Sequence, residues 1–292
     1  MFNRKLDTFF SPFCQLTFGG HVAAEKSGHI ARNFHSTQPR FIKSTTGEGL
    51  IIENLSFSYD GPESPKVLDD LHLTIPYGKV TAIVGASGSG KTTLMKLLLK
   101  FYKPGEGKIL LGKTDLQRMH SDTWRQKCGT VMQDGFIFSD TIAHNIALSA
   151  EEMDDKKLVH AATVANIHEF VDALPLGYFT KIGPDGTGLS QGQKQRLLIA
   201  RAVYKDPEFL FFDEATSSLD ANNEKEIVEN LDGFFKNKTV LVIAHRLSTV
   251  KNADQIVVLD KGKIVECGTH EELTTERGAY FALVKNQLEL GN

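Results

Sequence analysis

The chain reads Lys79-Val-Thr-Ala-Ile-Val84, then Gly85-Ala-Ser-Gly-Ser-Gly-Lys-Thr-Thr93, then Leu94-Met-Lys-Leu-Leu-Leu-Lys-Phe101. The first run is short, apolar and β-branched, as a buried strand is. The third brings Leu94, Leu97, Leu98 and Phe101 round at helical spacing, which predicts a helix over Thr92–Phe101. Between them, Gly85 and Gly90 stand at the fixed positions of a phosphate-binding loop, followed by Lys91 and Thr92. Glycines let backbone wrap closely round an anion, with successive N–H groups turned inward. The helix N-terminus adds partial positive charge. Gly85, Ala86, Ser87, Gly88, Ser89, Gly90, Lys91, Thr92 and Thr93 are therefore candidate phosphate-holding residues. Lys91 is expected to reach the terminal phosphates, and the Thr92 hydroxyl to coordinate Mg2+. The plain alternative is a Gly/Ser loop joining a strand to a helix, and the fixed positions together with both flanks argue against it.

A chain of 292 residues has room for one large domain or two small ones. At 41% hydrophobic and 24% charged it has the composition of a soluble globular protein. A formal charge of -3 lacks the basic excess of nucleic-acid binders, so no nucleic-acid partner is expected. Cys14, Cys128 and Cys267 are odd in number and far apart, which argues against a disulfide framework and for a reducing compartment. No apolar run approaches the roughly 18 residues needed to cross a bilayer. Action at a membrane is therefore expected to pass through a partner. Residues 1–47 differ from the rest: up to Thr46, six Lys/Arg face two Asp/Glu with no sustained period. This segment reads as a linker or an extension; a transit peptide is the alternative, and Gly19-Gly20 also fits the end of a peptide leader.

From Leu50 the pattern becomes regular. Leu50–Tyr59 alternates like a strand and stops at Asp60-Gly61-Pro62. Val67–Ile75 reads as another, and Lys108–Leu111 as a third. Beyond Gln133, up to about Gly188, the reading is mostly helical, for instance over Ile142–Leu148 and Lys156–Ala165. We place an inserted helical block at about 134–188. A further helix is expected over Gln191–Tyr204, where Leu197, Leu198, Ala200 and Arg201 bring apolar and basic positions round together. Phe209–Phe212, Thr239–Ile243 and Gln255–Leu259 are apolar runs suited to strands buried on both faces. Strand and helix alternating in this way predict an α/β fold with an open, mainly parallel sheet covered by helices. In such sheets ligands sit at the carboxyl ends of the strands.

Asp213-Glu214 stands at such an end. Asp213 is expected to hold Mg2+ through its hydration shell, and Glu214 to take a proton from the water attacking a γ-phosphate; a solvated acidic turn is the plain alternative. Leu189-Ser-Gln-Gly-Gln193 opens the Gln191 helix. On its own chemistry it is a helix N-cap first and an anion site second.

The order of these elements resembles the nucleotide-binding domain of ATP-binding cassette (ABC) transporters, over nearly all of Leu50–Gln287. Gly85–Thr93 resembles the Walker A loop, Phe209–Asp213 the Walker B strand and Leu189–Gln193 the family signature. Gln133 falls at the Q-loop, Ser218-Leu219-Asp220 at the D-loop, His245 at the switch histidine, and Tyr59 at the aromatic that stacks on adenine. The resemblance implies a P-loop NTPase (RecA-like) core, an antiparallel β subdomain and an inserted helical subdomain, all within 48–292. It implies ATP and Mg2+ as ligands, with Gln133 beside Thr92 and Asp213 at the metal. It also implies a head-to-tail pair of two copies, in which Ser190, Gly192 and Gln193 of one copy face the ATP of the other, near Asp220. His245 is implied at the γ-phosphate, helping Glu214 hold water. Without the resemblance, a lone His reads as a satisfied core histidine and Tyr59 as strand packing. The signature's third position is usually Gly; here it is Gln191, whose side chain is expected to point away from the nucleotide.

His245-Arg-Leu-Ser-Thr249 and the tail Gly278-Ala-Tyr280…Leu283…Gln287 resemble exporters more than importer ATPases. Gln133–Ile146 is similar to bacterial peptide and bacteriocin exporters that carry a peptidase domain. That likeness implies a transmembrane-domain partner and a place on the cytoplasmic face of the membrane. Phe136, Phe138 and Ile142 are then either the surface that receives coupling helices or core of the helical block. Those exporters also carry an N-terminal cysteine peptidase and membrane helices, and the segment holding Cys14 is too short for the former. The expectation is a fragment, a split subunit, or a gene that has lost its membrane part. An importer ATPase subunit and a soluble ABC ATPase are the alternatives.

Overall fold

The computed structural model describes residues 49–61, 63–148, 150, 152–183, 186, 188–215, 221–244 and 247–290, without the side chains of 221–223, 247–248 and 287–290. The expectations for 1–47, Asp220 and His245 lie outside the described residues.

In order, the elements are β1 (Leu50–Phe57), β2 (Leu68–Ile75), β3 (Val80–Val84), α1 (Lys91–Leu98), β4 (Glu106–Leu111), β5 (Thr114–Asp115), α2 (Ser121–Gln126), β6 (Cys128–Val131), β7 (Asp140–Thr141), α3 (Ile142–Ile146), α4 (Asp155–Val164), α5 (His168–Asp172), β8 (Lys181–Ile182) and α6 (Gln191–Lys205). There follow β9 (Phe209–Asp213), α7 (Ala221–Phe235), β10 (Thr239–Ile243), α8 (Leu247–Val250), β11 (Gln255–Asp260), β12 (Lys263–Gly268), α9 (His270–Glu276) and α10 (Ala279–Leu290).

The main sheet has the order β12-β11-β3-β10-β9-β6. Its pairings are parallel except for β12, which runs antiparallel at one edge. Alternate residues of the apolar strands serve opposite faces. Leu210 and Phe212 pack with Leu197, Val203 and Ile227 on one side, while Phe209 and Phe211 pack with Leu94, Leu98 and Trp124 on the other. That second face also receives the antiparallel sheet β2-β1-β4-β5, through Leu50, Ile52 and Leu71. The expected α/β fold with an antiparallel sheet and a helical block is what the chain adopts.

Two local features differ from the expectation. The helix expected to reach Phe101 ends at Leu98, because Lys100 sits in the left-handed region at φ 57. Trp124 of α2 then donates its Nε1–H to the free Leu98 carbonyl at 2.7 Å, docking α2 on that helix end. The helical block is closed off by a two-residue ladder, with Asp140 opposite Ile182 and Thr141 opposite Lys181.

Candidate functional site

Registers across the parallel sheet bring several strand ends to one level. Ile83 of β3 is opposite Ile243 of β10, and Ile243 is opposite Asp213 of β9. Phe212 is opposite Val131 of β6. Gly85, Glu214 and Gln133 therefore leave the same edge of the sheet, although they are far apart in sequence.

Gly85 follows β3 and lies against β11: a Cβ there would come within 2.0 Å of the Leu259 carbonyl oxygen, so no side chain fits. The loop then turns outward, with Ala86, Ser87 and Gly88 exposed and Ser89 and Gly90 buried. Ser89 N–H donates to the Ala86 carbonyl (3.2 Å), and Gly262 N–H to the Ser89 carbonyl (3.1 Å), fixing the return. Gly90 caps α1 without a side-chain hydrogen bond, and the first turn carries no acidic residue. Lys91 opens that turn instead, where a cation opposes the helix dipole. An isolated helix would be weakened by this arrangement; one that receives an anion is not.

Lys91 is only 6% exposed. Its Nζ donates to the carbonyls of Gly85 (2.9 Å) and Ala86 (2.8 Å), on the loop's own backbone. Burial lowers its pKa, and the carboxylates of Glu214 and Asp213 oppose that shift. Asp213, 2% exposed, ends β9. Burial pushes its carboxyl above the usual range; a hydrogen bond from the Thr92 hydroxyl pulls the other way, and the Glu214 charge adds to the rise. Its Oδ1 has no hydrogen-bond partner among the described residues. Glu214 sits in the left-handed region at φ 50, with its N–H donating to the Ile243 carbonyl at 3.0 Å. Strained non-glycine backbone of this kind concentrates at functional sites.

Tyr59, 46% exposed, stands just beyond β1. Its ring meets Phe57 and Tyr102 edge-on, at centroid distances of 5.0 and 5.3 Å. Its hydroxyl lies 2.9 Å from Thr93 Oγ1, tying the aromatic cluster to the phosphate loop. Tyr102 has no part in the sequence reading, because it follows the expected helix and fits no motif.

Ser190 caps α6, and with Gln193 it forms a capping box: Gln193 N–H donates to Ser190 Oγ (3.2 Å), and Ser190 N–H to Gln193 Oε1 (2.8 Å). The simpler of the two chemical readings of this stretch is thus satisfied within one chain. Gln191 is exposed, and Gly192 is partly so. Among the described residues no hydrogen bond joins Leu189–Gln193 to Gly85–Thr93. Gln133 is exposed beyond the end of β6. The aromatic run divides: Ile142 is core at 1% exposure, whereas Phe136 is 68% exposed.

A parallel sheet with a glycine loop at one strand end, a lysine at the start of the following helix and a buried aspartate on a neighbouring strand end defines a P-loop nucleoside triphosphatase. A family model described as ABC transporter matches residues 68–217, and the chain belongs to that family. It is an ATP-binding domain of the ABC type.

The Toxin RTX-I translocation ATP-binding protein of Actinobacillus pleuropneumoniae is 46% identical over 241 residues, which are 82% of this chain and 34% of that one. The ATP-dependent lipid A-core flippase of Syntrophus aciditrophicus (strain SB) is 47% identical over 242 residues, 83% of this chain and 40% of the other. A solved structure of a bacterial Atm1-family ABC exporter with ATP bound superposes with a TM-score of 0.79 at 38% identity, covering 83% of this chain and 42% of that chain. The chain thus spans less than half the length of these relatives.

Proposed function

We propose that this domain hydrolyses Mg-ATP in a head-to-tail pair of two copies and powers export across a membrane. The observation that carries the reading is the buried Asp213 Oδ1, which has no hydrogen-bond partner among the described residues, on a carboxylate that also accepts from Thr92, at the sheet edge where the phosphate loop begins. A buried carboxylate oxygen left bare costs free energy unless a ligand completes it.

That donor set suits Mg2+. Among the described residues no three His, Cys, Asp or Glu converge to cage a metal, and Mg2+ commonly takes only one or two carboxylates, completing its shell with water and substrate phosphate. Thr92, Asp213 and Gln133 are the residues that would hold it. Once bound, the ion neutralises charge on the phosphate oxygens.

The other roles follow from the side chains. Lys91 exchanges the Gly85 and Ala86 carbonyls for anionic phosphate oxygens, which are the stronger acceptors. The N–H groups from Gly85 to Thr93 cradle the phosphates, and Tyr59 offers a ring face to adenine. Water attacks the γ-phosphorus and its proton passes to Glu214; the bond to the β–γ bridging oxygen breaks and ADP leaves. His245 steadies that water and the γ-phosphate. Ser190, Gly192 and Gln193 reach the ATP of the second copy, with Asp220 at the same junction, so neither half-site turns over alone. The exposed Gln191 is free to point away from the nucleotide.

Among the described residues no helix is long and apolar enough to cross a membrane. We place the domain, residues 48–292, at the cytoplasmic face beneath a transmembrane domain, with 1–47 as a linker. Relatives named for toxin translocation, a lipid flippase and an exporter favour export. Identities of 46% and 47% do not separate polypeptide from lipid cargo. The likeness of Gln133–Ile146 to peptide exporters points to a peptide or bacteriocin-like cargo.

The test is phosphate release from Mg-ATP by the parent, Lys91→Ala and Glu214→Gln. Turnover by the parent alone, with nucleotide still bound by Glu214→Gln, supports the reading. Equal turnover by all three refutes it.

A further inference from the structure

Arg201 projects from the middle of α6, on a helix face that is otherwise core. It is partly buried, and desolvation alone pulls its pKa down to about 10. Among the described residues no carboxylate pairs with it. Its guanidinium is satisfied by neutral groups instead. Nε donates to the Asn145 carbonyl (2.8 Å), Nη1 to the Phe136 carbonyl (3.0 Å) and Nη2 to Asn145 Oδ1 (3.2 Å). Its carbon lies 5.7 Å from the centre of the Phe138 ring.

Asn145, fully buried, completes the arrangement. Its Oδ1 also accepts from Phe138 N–H (2.9 Å), while its Nδ2 donates to the carbonyls of Phe138 and Thr141 (both 3.0 Å). A partly buried cation without a counter-charge among the described residues costs more to keep than a Leu or Met filling the same space. Such a group persists where it specifies an arrangement rather than where it adds stability.

A second contact points the same way. A Cβ on Gly135 would fall 2.2 Å from Leu198 Cδ1 and 2.8 Å from its Cδ2, so the backbone of this segment lies directly on α6. Four residues run from Gln133 to the first backbone group that Arg201 grips at Phe136, and Ser190 caps the same helix that carries Arg201.

We infer that Arg201 and Asn145 are a positioning pair that fastens the Gln133–Phe138 segment to the signature helix. Gln133, the exposed Phe136 and Ser190 then shift as one body. The clamp stands on the hydrogen bonds alone; its consequence for turnover rests on the ATPase reading.

The experiment compares the full chain with Arg201→Lys and Gly135→Ala. Lysine keeps the cation but cannot make the forked contacts. Alanine lifts the same segment from Leu198 and leaves Arg201 intact. Both variants are expected to keep the parent's ATP affinity and to speed amide hydrogen exchange about tenfold over 134–146, with exchange in β3, β9 and β10 unchanged. In the same variants kcat is expected to fall several-fold while KM stays within about twofold, the pattern left when an interaction made only in the transition state is lost. Parent-like exchange over 134–146 in both variants overturns the inference, as does an increase spread through the central strands. The exchange measurement needs no nucleotide, so it decides the clamp even if the parent proves not to hydrolyse ATP.

Discussion

The Tyr59 hydroxyl lies 2.9 Å from Thr93 Oγ1, so the residue placed at the adenine is bonded to the helix that follows the phosphate loop. The two functions of Tyr59, ring and hydroxyl, can be separated. Tyr59→Phe removes the bond and is expected to cost about 1 kcal/mol of stability, with ATP affinity within about twofold of the parent. Tyr59→Ala also removes the ring face, and stacking worth roughly 1–3 kcal/mol should vanish as a drop in ATP affinity of about 5- to 150-fold. Calorimetric titration measures both; equal affinities for Tyr59→Ala and the parent would remove Tyr59 from the site.

Lys91 is buried, with its Nζ bonded to the loop's own carbonyls. Lys91→Met removes a buried cation from the nucleotide-free protein, so thermal stability should hold or rise. ATP affinity should fall at least about tenfold, as for losing one charge-assisted contact worth roughly 1.5–3 kcal/mol. Destabilisation with undiminished ATP binding would make Lys91 structural.

Burial raises the Asp213 carboxyl above its ordinary value. The folded chain therefore holds this proton more tightly than the unfolded chain does, and the group's effect on stability worsens as pH rises from below 3.8 through the raised value. In nucleotide-free protein, Asp213→Asn should raise the melting temperature at pH 7 by roughly 2–4 °C, the shift that about 1 kcal/mol makes in a chain of this size. That gain should disappear near pH 4. A pH-independent difference, or destabilisation at pH 7, would show that the carboxylate is satisfied in the folded chain.

The phosphate loop was legible because three independent signals meet there: an apolar strand, fixed glycines and a helical period. Asp213 was legible for a related reason: two acids directly after the apolar run Phe209–Phe212 suit a strand end in a parallel sheet, where ligands bind. The β7–β8 ladder was not, because two-residue strands such as Asp140–Thr141 have no period to read. Phe136, Phe138 and Ile142 look alike in sequence; only the fold turns Ile142 inward and leaves Phe136 outside. Arg201 was visible as a basic residue on an apolar face, yet its partners are mainly backbone carbonyls, which composition does not reveal. Tyr102 reaches Tyr59 across the fold, a contact without any local signature.

Closure of two copies round ATP is the central step of the proposed cycle, and Glu214→Gln isolates it. Glutamine keeps the shape and the φ of 50 at this position and removes only the proton acceptor. Turnover should fall by about 10²–10⁴-fold, the usual contribution of a general base. Sedimentation of this variant with Mg-ATP is the decisive measurement. A species of twice the monomer mass that reverts to monomer in ADP is the predicted result; a monomer throughout, with ATP bound, would contradict the account.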